Sequence, residues 1–330
     1  MRKKYQIFRR IQFTPTIENE RRNLRIIFMG TSEFAVASLE KLLQGSCNIV
    51  GVVTAPDRAA GRGLQVTESA IKRYASAKNL NILQAEKLKN PEFLEELRSL
   101  KANLQVVVAF RMLPEVVWNM PPLGTINLHA SLLPQYRGAA PINWAIINGE
   151  KETGLTTFKL QHQIDTGNIL LQDKIIIGKD ETAGELHDRM KEAGAMLLVE
   201  TVKGIANNSL KEIDQSAIDT RQLAILKHAP KIFTDTCKID WHKNIDQVYN
   251  LIRGLSPHPG AFTILNEKTI RIFKVEKVDS GTSCSAGQFE TDKKTFLKFA
   301  CSNGYISIKE LQLQGKKKLM IEEFLRGFRF

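Results

Sequence analysis

The sequence predicts an α/β fold: a doubly wound, Rossmann-like domain followed by a small β-barrel of the OB-like kind. Three observations carry this expectation. From Leu24 onward, short and almost wholly apolar runs alternate with stretches of helical periodicity, the pattern of a parallel sheet covered on both faces. A glycine turn, Gly30-Thr31-Ser32, follows the first apolar run and opens a helical stretch. Past about residue 208 the texture becomes β-rich, with several short strand candidates separated by basic loops, which fits a small barrel.

In chain order, residues 24–29 (LRIIFM) read as a buried strand and residues 34–43 as a helix. Residues 48–54 (NIVGVVT) are the next strand, residues 68–78 the next helix and residues 105–109 (QVVVA) another strand. In residues 125–129 apolar Ile126 and Leu128 alternate with polar Thr125, Asn127 and His129, which predicts a strand with one polar face. Residues 155–161 are read as a strand and Asp165-Thr166-Gly167 as a loop. Thr182 followed three residues later by Glu185 is a capping box that starts a helix, with Leu186, Met190, Ala193 and Leu197 on its buried face. It fades at Asn207-Asn208. Strand candidates follow at residues 261–265, 269–278, 296–301 and 305–313, with a hairpin turn at Asn303-Gly304. The expected division is a basic tail over 1–23, a catalytic domain over 24–207, a linker over 208–222 and a C-terminal β domain over 223–330. The tail lacks the continuous apolar run of a secretory signal.

The chain has 330 residues, 43% of them hydrophobic and 25% charged, a globular balance with room for two cores. No apolar stretch approaches the ~18–20 residues of a membrane-spanning helix. Cys47, Cys237, Cys284 and Cys301 stand far apart with no C-x-x-C pair, so neither a zinc site nor a dithiol centre is expected, and a reducing compartment, the cytoplasm, suits them. His162, His187, His228 and His242 show no ligand spacing. The net charge of +12 divides as +5 over residues 1–23, +1 over 24–209 and +6 over 210–330. A near-neutral central unit beside a basic one suits an enzyme that grips a polyanion; a merely soluble basic surface is the plainer alternative.

No G-x-G-x-x-G follows the first strand, so a dinucleotide is poorly supported. The pair Asn127 and His129 is more informative. Two residues apart on a strand, a carboxamide and an imidazole project from one face, at the carboxyl end of a sheet strand where α/β ligands bind. An amide N–H can steady a developing oxyanion while an imidazole passes protons. Ser131 invites reading as a nucleophile, but a loop hydroxyl bonded to backbone is the simpler account. Trp118 and Trp144 are read as packing residues.

The residues after His129 read Ala130-Ser131-Leu132-Leu133-Pro134-Gln135-Tyr136-Arg137-Gly138, and Asp165-Thr166-Gly167 lies downstream. This resembles the signature N-x-H-x-S-L-L-P-x-Y-R-G with D-T-G of the folate-dependent formyltransferases. The likeness extends to RIIFMGTSEF, to the loop Pro56-Asp57-Arg58-Ala59-Ala60-Gly61-Arg62-Gly63, to KIDW at 238–241, to Arg253-Gly254 and to Pro257-His258-Pro259-Gly260-Ala261. That combination resembles the branch of the family acting on methionyl-initiator tRNA, over about residues 24–330. The resemblance implies 10-formyltetrahydrofolate as formyl donor, the methionyl α-amine as acceptor, no metal, and a monomer without membrane attachment. It assigns catalysis to Asn127, His129 and Asp165. Folate falls to Phe110, Arg111, Met112, Leu113 and Pro114 with Ser131, Leu132, Leu133 and Pro134. Substrate tRNA falls to Arg58, Arg62, Lys316, Lys317 and Lys318.

This sequence departs from the family in three places, one being His258, where the family often has an aromatic residue. The common A-Y-G-x-x-L-P is here Ala109-Phe110-Arg111-Met112-Leu113-Pro114, one residue shorter, and Leu64-Gln65-Val66 stands where relatives are often lysine-rich. Two alternatives share the catalytic trio: a formyltransferase acting on an amino sugar or small nucleotide amine, and a formyl-folate hydrolase. A non-catalytic RNA-binding protein is the alternative of a different class.

Overall fold

The computed structural model describes residues 24–60, 65–218, 226–281 and 283–329. They fall into two compact units, one running to Asn127 and including Leu198–Lys211, the other Leu128–Leu197 together with the chain from Glu212.

The first unit is built on four short strands: β1 (Arg25–Gly30), β2 (Asn48–Thr54), β3 (Ile82–Gln84) and β4 (Leu104–Val108). β1 pairs in parallel with β2 and with β4, and β2 with β3. Phe28 stands opposite Val52 on one side and Val106 on the other, and all three are fully buried. Such apolar strands are what a sheet covered on both faces requires. The helices start where the sequence supplies caps. In α1 (Glu33–Gln44) the acidic Glu33 sits in the first turn and Lys41 in the last, each favourable to the helix dipole. The Ser69 side chain accepts from the Lys72 amide at the start of α2 (Ala70–Ala77), and Asn90 caps α3 (Pro91–Ser99), which opens on proline.

Strand β5 (Thr125–His129) lies beyond β4, followed by β6 (Glu152–Lys159) and β7 (Ile169–Ile176), which pair antiparallel. The sheet order is β7-β6-β5-β4-β1-β2-β3. Strand order reverses between β1 and β4, the place where open α/β sheets bind ligands. The sequence expectation for the sixth strand, residues 155–161, is displaced. β6 begins at Glu152, because its polar first residues pair with the end of β7, Thr153 opposite Ile175. A short helix, α4 (Pro141–Ile147), precedes it.

The capping box forms as expected at α5 (Ala183–Ala206). Thr182 Oγ1 accepts from the Glu185 amide at 3.3 Å, and a Glu185 carboxylate oxygen accepts from the Thr182 amide at 2.8 Å. These hydrogen bonds from Thr182 hold the Glu185 carboxyl below its ordinary range. A lowered folded-state value stabilises the helix above the usual glutamate range, and that contribution is lost as pH falls through the lowered value. Thr182→Ala is therefore expected to cost about 1 kcal/mol near neutrality, read from the urea midpoint, and less in acid. An equal cost at both pH values would contradict the box.

The C-terminal part of the second unit is an antiparallel sheet. Its strands are β8 (Ala261–Leu265), β9 (Lys268–Val278), β10 (Phe289–Thr291), β11 (Leu297–Cys301), β12 (Gly304–Leu313) and β13 (Lys318–Met320). The order is β8-β9-β12-β11-β10, with β13 also on β12, a half-barrel of the OB-like kind. Cys301 pairs with Gly304, so the turn residues are Ser302 and Asn303, one position before the expected Asn303-Gly304, because Gly304 already pairs as the first residue of β12. Helix α6 (Ile245–Leu255) closes the core with a complete Asn244–Gln247 capping box. Beneath it Trp241 stacks on Phe299 at 4.6 Å. Asn143 on α4 donates to the Gly254 carbonyl at 2.8 Å, so α6 also docks on α4. Among the described residues, no helix is long and apolar enough to cross a membrane. All four cysteines are free.

Candidate functional site

Strand β5 delivers Asn127 and His129 to one face at its carboxyl end. The polar face expected from the alternation is not open to water: Thr125 and His129 are buried and Asn127 is half-buried. The reason is that β5 is an inner strand whose polar groups find protein partners. Thr125 Oγ1, for instance, donates to the Trp118 carbonyl at 2.6 Å.

His129 is held from two sides. Its Nε2 lies 2.9 Å from the Tyr136 carbonyl oxygen. A carbonyl only accepts, so Nε2 carries the hydrogen and donates it, and Nδ1 is left for chemistry. Nδ1 faces Asp165 Oδ2 at 3.8 Å, within ion-pair range and too long for a direct hydrogen bond. The same carboxylate oxygen accepts from the Gly138 amide at 2.9 Å. Phe158 packs edge-on against the imidazole at 6.5 Å.

The main chain around this pair is bent into uncommon conformations. Asp165 has φ +54° and Tyr136 φ +59°, both in the left-handed region. Gly138 has φ +125°, and a Cβ there would lie 2.4 Å from the Ala229 carbonyl oxygen. That close approach exists because Arg137–Gly138 pairs in parallel with His228–Ala229. At Gly167 a Cβ would fall 1.6 Å from the Lys159 carbonyl oxygen, so the D-T-G loop closes only with glycine.

A polar network backs Tyr136. Its hydroxyl donates to Glu150 at 2.6 Å and accepts from Asn148 at 3.2 Å, while Lys227 pairs with Glu150 at 2.6 Å. Burial, and next the Glu150 carboxylate, push the phenol pKa well above its usual value, so Tyr136 stays a donor. Sequence reasoning quoted Tyr136 and Gly138 inside the motif without giving them roles. It missed Gln215, which bonds the Asp165 loop from within the segment read as a linker.

The other expected residues occupy varied places. Ser131 is fully buried and its hydroxyl donates to the Gln135 carbonyl at 2.6 Å, the backbone-bonded loop hydroxyl foreseen from sequence. Leu133 belongs to a small core with Phe158 and Ile169. Its amide donates to Thr156 Oγ1 at 3.1 Å and its carbonyl accepts from Gln172 at 2.9 Å. Leu132 packs against Gly154, and Pro134 follows in the same tied segment.

After β4 the chain runs through Phe110, Arg111, Met112, Leu113 and Pro114 without helix or strand pairing. Leu113 is buried and Met112 is 74% exposed. The Arg111 guanidinium is committed to the backbone, donating to the carbonyls of Ala85 and Glu86. Arg58 is exposed and starts a small antiparallel ribbon, Arg58–Ala60 with Gln65–Thr67, where sequence suggested only a loop. Arg62 lies outside the described residues. Lys316, Lys317 and Lys318 are exposed at the β12–β13 turn, with Lys318 Nζ 3.7 Å over the Phe273 ring.

The sequence model of the formyl transferase family matches residues 24–202, and that of the formyl transferase C-terminal domain matches residues 231–329. A protein of Bacteroides thetaiotaomicron named methionyl-tRNA formyltransferase is 50% identical over 315 residues, covering 94% of this chain and 97% of its own. One of the same name from Phocaeicola vulgatus is 51% identical over 316 residues, covering 94% and 97%. Among solved structures, WlaRD, a sugar 3N-formyl transferase in the presence of dTDP and 5-N-formyl-THF, has a similar fold. Its TM-score is 0.64 at 22% identity, covering 89% of this chain and 99% of that one. With both family models matched in order and relatives about half identical over 94% of it, the chain belongs to the formyl transferase family.

Proposed function

We propose that this chain transfers the formyl group of 10-formyltetrahydrofolate to the α-amino group of methionyl-initiator tRNA, as a monomer in the cytoplasm. The observation that carries the reading is the extent of the likeness: half of all positions over 97% of a relative named methionyl-tRNA formyltransferase.

The donor, when bound, supplies an activated formyl carbon. Asn127 donates an N–H to the oxygen on which negative charge develops. His129, its Nε2 hydrogen fixed on the Tyr136 carbonyl, takes the attacking amine's proton at Nδ1. Asp165, facing Nδ1, stabilises the imidazolium so formed, and the proton then goes to the leaving nitrogen. The segment 110–114 suits a flat heterocycle, because its backbone amides are committed to neither helix nor sheet. In this reading the residues assigned to the folate are Phe110, Met112, Leu113 and Pro114 of this segment and, in the second unit, Leu132, with Ser131, Leu133 and Pro134 buried behind it. Arg111 braces that segment from behind through Ala85 and Glu86.

Arg58, Arg62, Lys316, Lys317 and Lys318 are assigned to the tRNA. Arg62→Ala is expected to raise KM for the tRNA about tenfold with kcat within threefold. An unchanged dependence on tRNA concentration would refute the role. Binding should also weaken steadily with salt.

The deciding experiment offers formyl donor with methionyl-initiator tRNA, uncharged tRNA, free methionine, an amino-sugar nucleotide or buffer alone. Product only with the charged tRNA is the expected result. Transfer to the sugar, or loss of formyl in buffer, would overturn the acceptor while keeping the catalytic trio.

A further inference from the structure

Gln215 lies in a stretch with no catalytic signature, yet it is 3% exposed and every hydrogen-bonding position of its amide is used. Its nitrogen donates to the Asp165 carbonyl at 2.9 Å and to the Gly167 carbonyl at 2.8 Å. Its oxygen accepts from Arg137 Nε at 3.1 Å and Nη2 at 2.5 Å. One side chain therefore ties the Asp165 loop to the strand end Arg137–Gly138. The Gly138 amide is in turn the donor to Asp165 Oδ2. The segment around Gln215 is fastened to the same loop. Ile213 and Ile169 exchange backbone hydrogen bonds at 2.8 and 2.9 Å, Asn168 donates to Glu212 at 3.0 Å, and Ile218 packs on the Leu133, Phe158 and Ile169 cluster.

We infer that Gln215 is a positioning residue of the formyl-transfer site, holding Asp165 in the left-handed conformation from which its carboxylate faces His129. The inference rests on the proposed function and extends the site into the segment joining the two family domains. Asp165 at φ +54° occupies a conformation that L side chains rarely adopt, and it persists only if the surroundings fix it. The Gln215 bond to the Asp165 carbonyl supplies that constraint on the backbone, and the Gly138 bond supplies it on the carboxylate. Arg137, half-buried and with its charge disfavoured by burial, is kept in place by the same amide. No other residue type reproduces this pattern at this length. Asparagine is shorter by one methylene, methionine lacks both functions, and glutamate accepts from Arg137 while having nothing to donate to the two carbonyls.

Gln215→Glu tests positioning, since it keeps the shape and the Arg137 contact while it removes the two donated bonds and sets a carboxylate oxygen against the Asp165 and Gly167 carbonyls. The expected result is a fall in kcat of about 30- to 100-fold, with KM for donor and charged tRNA within threefold and a melting temperature within a few degrees. Hydrogen exchange in a peptide covering residues 161–168 should quicken about tenfold while the C-terminal sheet is unchanged. If Gln215→Glu does not fold, Gln215→Met, of similar volume and no charge, is read in the same two assays. A kcat within threefold of the parent, a KM effect alone, or unchanged exchange over 161–168 would overturn the inference. The parent enzyme is assayed alongside. If the parent itself transfers no formyl group, the proposed function fails, and the exchange measurement still decides whether Gln215 holds the loop.

Discussion

His129→Ala is expected to slow formyl transfer by about 10³–10⁴-fold, with KM for the charged tRNA within threefold. The size follows from what the ring does in its setting. Nε2 is spent on the Tyr136 carbonyl, so Nδ1 alone meets the reaction, and no neighbouring group can take its proton in the same place. Asp165 touches the Gly138 amide and faces the imidazole at 3.8 Å. Asp165→Asn should therefore keep the loop's shape and lose only the charge, with a smaller fall of about 10²–10³-fold. Single-turnover rates with saturating charged tRNA measure both. Near-parent rates in the two variants would remove these residues from the chemistry. Equal losses in KM rather than kcat would make them binding groups.

Gly138→Ala is expected to be severely damaging although it replaces only one hydrogen by a methyl group. The added carbon would sit 2.4 Å from the Ala229 carbonyl oxygen, and that oxygen is backbone, already receiving the Ala139 amide at 2.7 Å. It cannot swing aside as a flexible side chain would. At φ +125° any L-residue is also strained. Strain and clash together should cost about 3 kcal/mol of stability, seen as a lower urea midpoint. The rate should suffer as well, because relief of the clash moves the Gly138 amide away from Asp165. A parent-like midpoint would show that this close approach does not exist in solution.

The parts of this molecule that are written locally were legible in its sequence. The β2 apolar run and the Thr182–Glu185 box depend on residues within a few positions of one another, and each appears where the pattern puts it; the hairpin turn comes one residue earlier than Asn303-Gly304. The candidate pair Asn127 and His129 on β5 was legible for the same reason, since period-two alternation fixes a shared face. What escaped was tertiary. The start of β6 is set by pairing with β7 rather than by its own polarity. The ribbon at Arg58 needs a partner strand, Gln65–Thr67. Arg111 shows no sequence sign that its charge will be used up by two carbonyls some 25 residues earlier in the chain. Gln215 is the extreme case: an uncharged residue in a polar segment, 50 positions from the loop it bonds.

The hydrogen bond from His129 to the Tyr136 carbonyl assigns the imidazole tautomer through main chain, which every amino acid at position 136 carries. Drift at that position thus cannot exchange the proton-handling nitrogen by exchanging a side-chain function; it can only loosen the packing that points the carbonyl. Tyr136→Phe, which removes the Glu150 contact and keeps the peptide, should leave Nε2 protonated, an outcome that nitrogen shifts in a histidine-labelled sample would display. The acid–base chemistry of this site is to that extent inherited with the path of the chain rather than with its lettering.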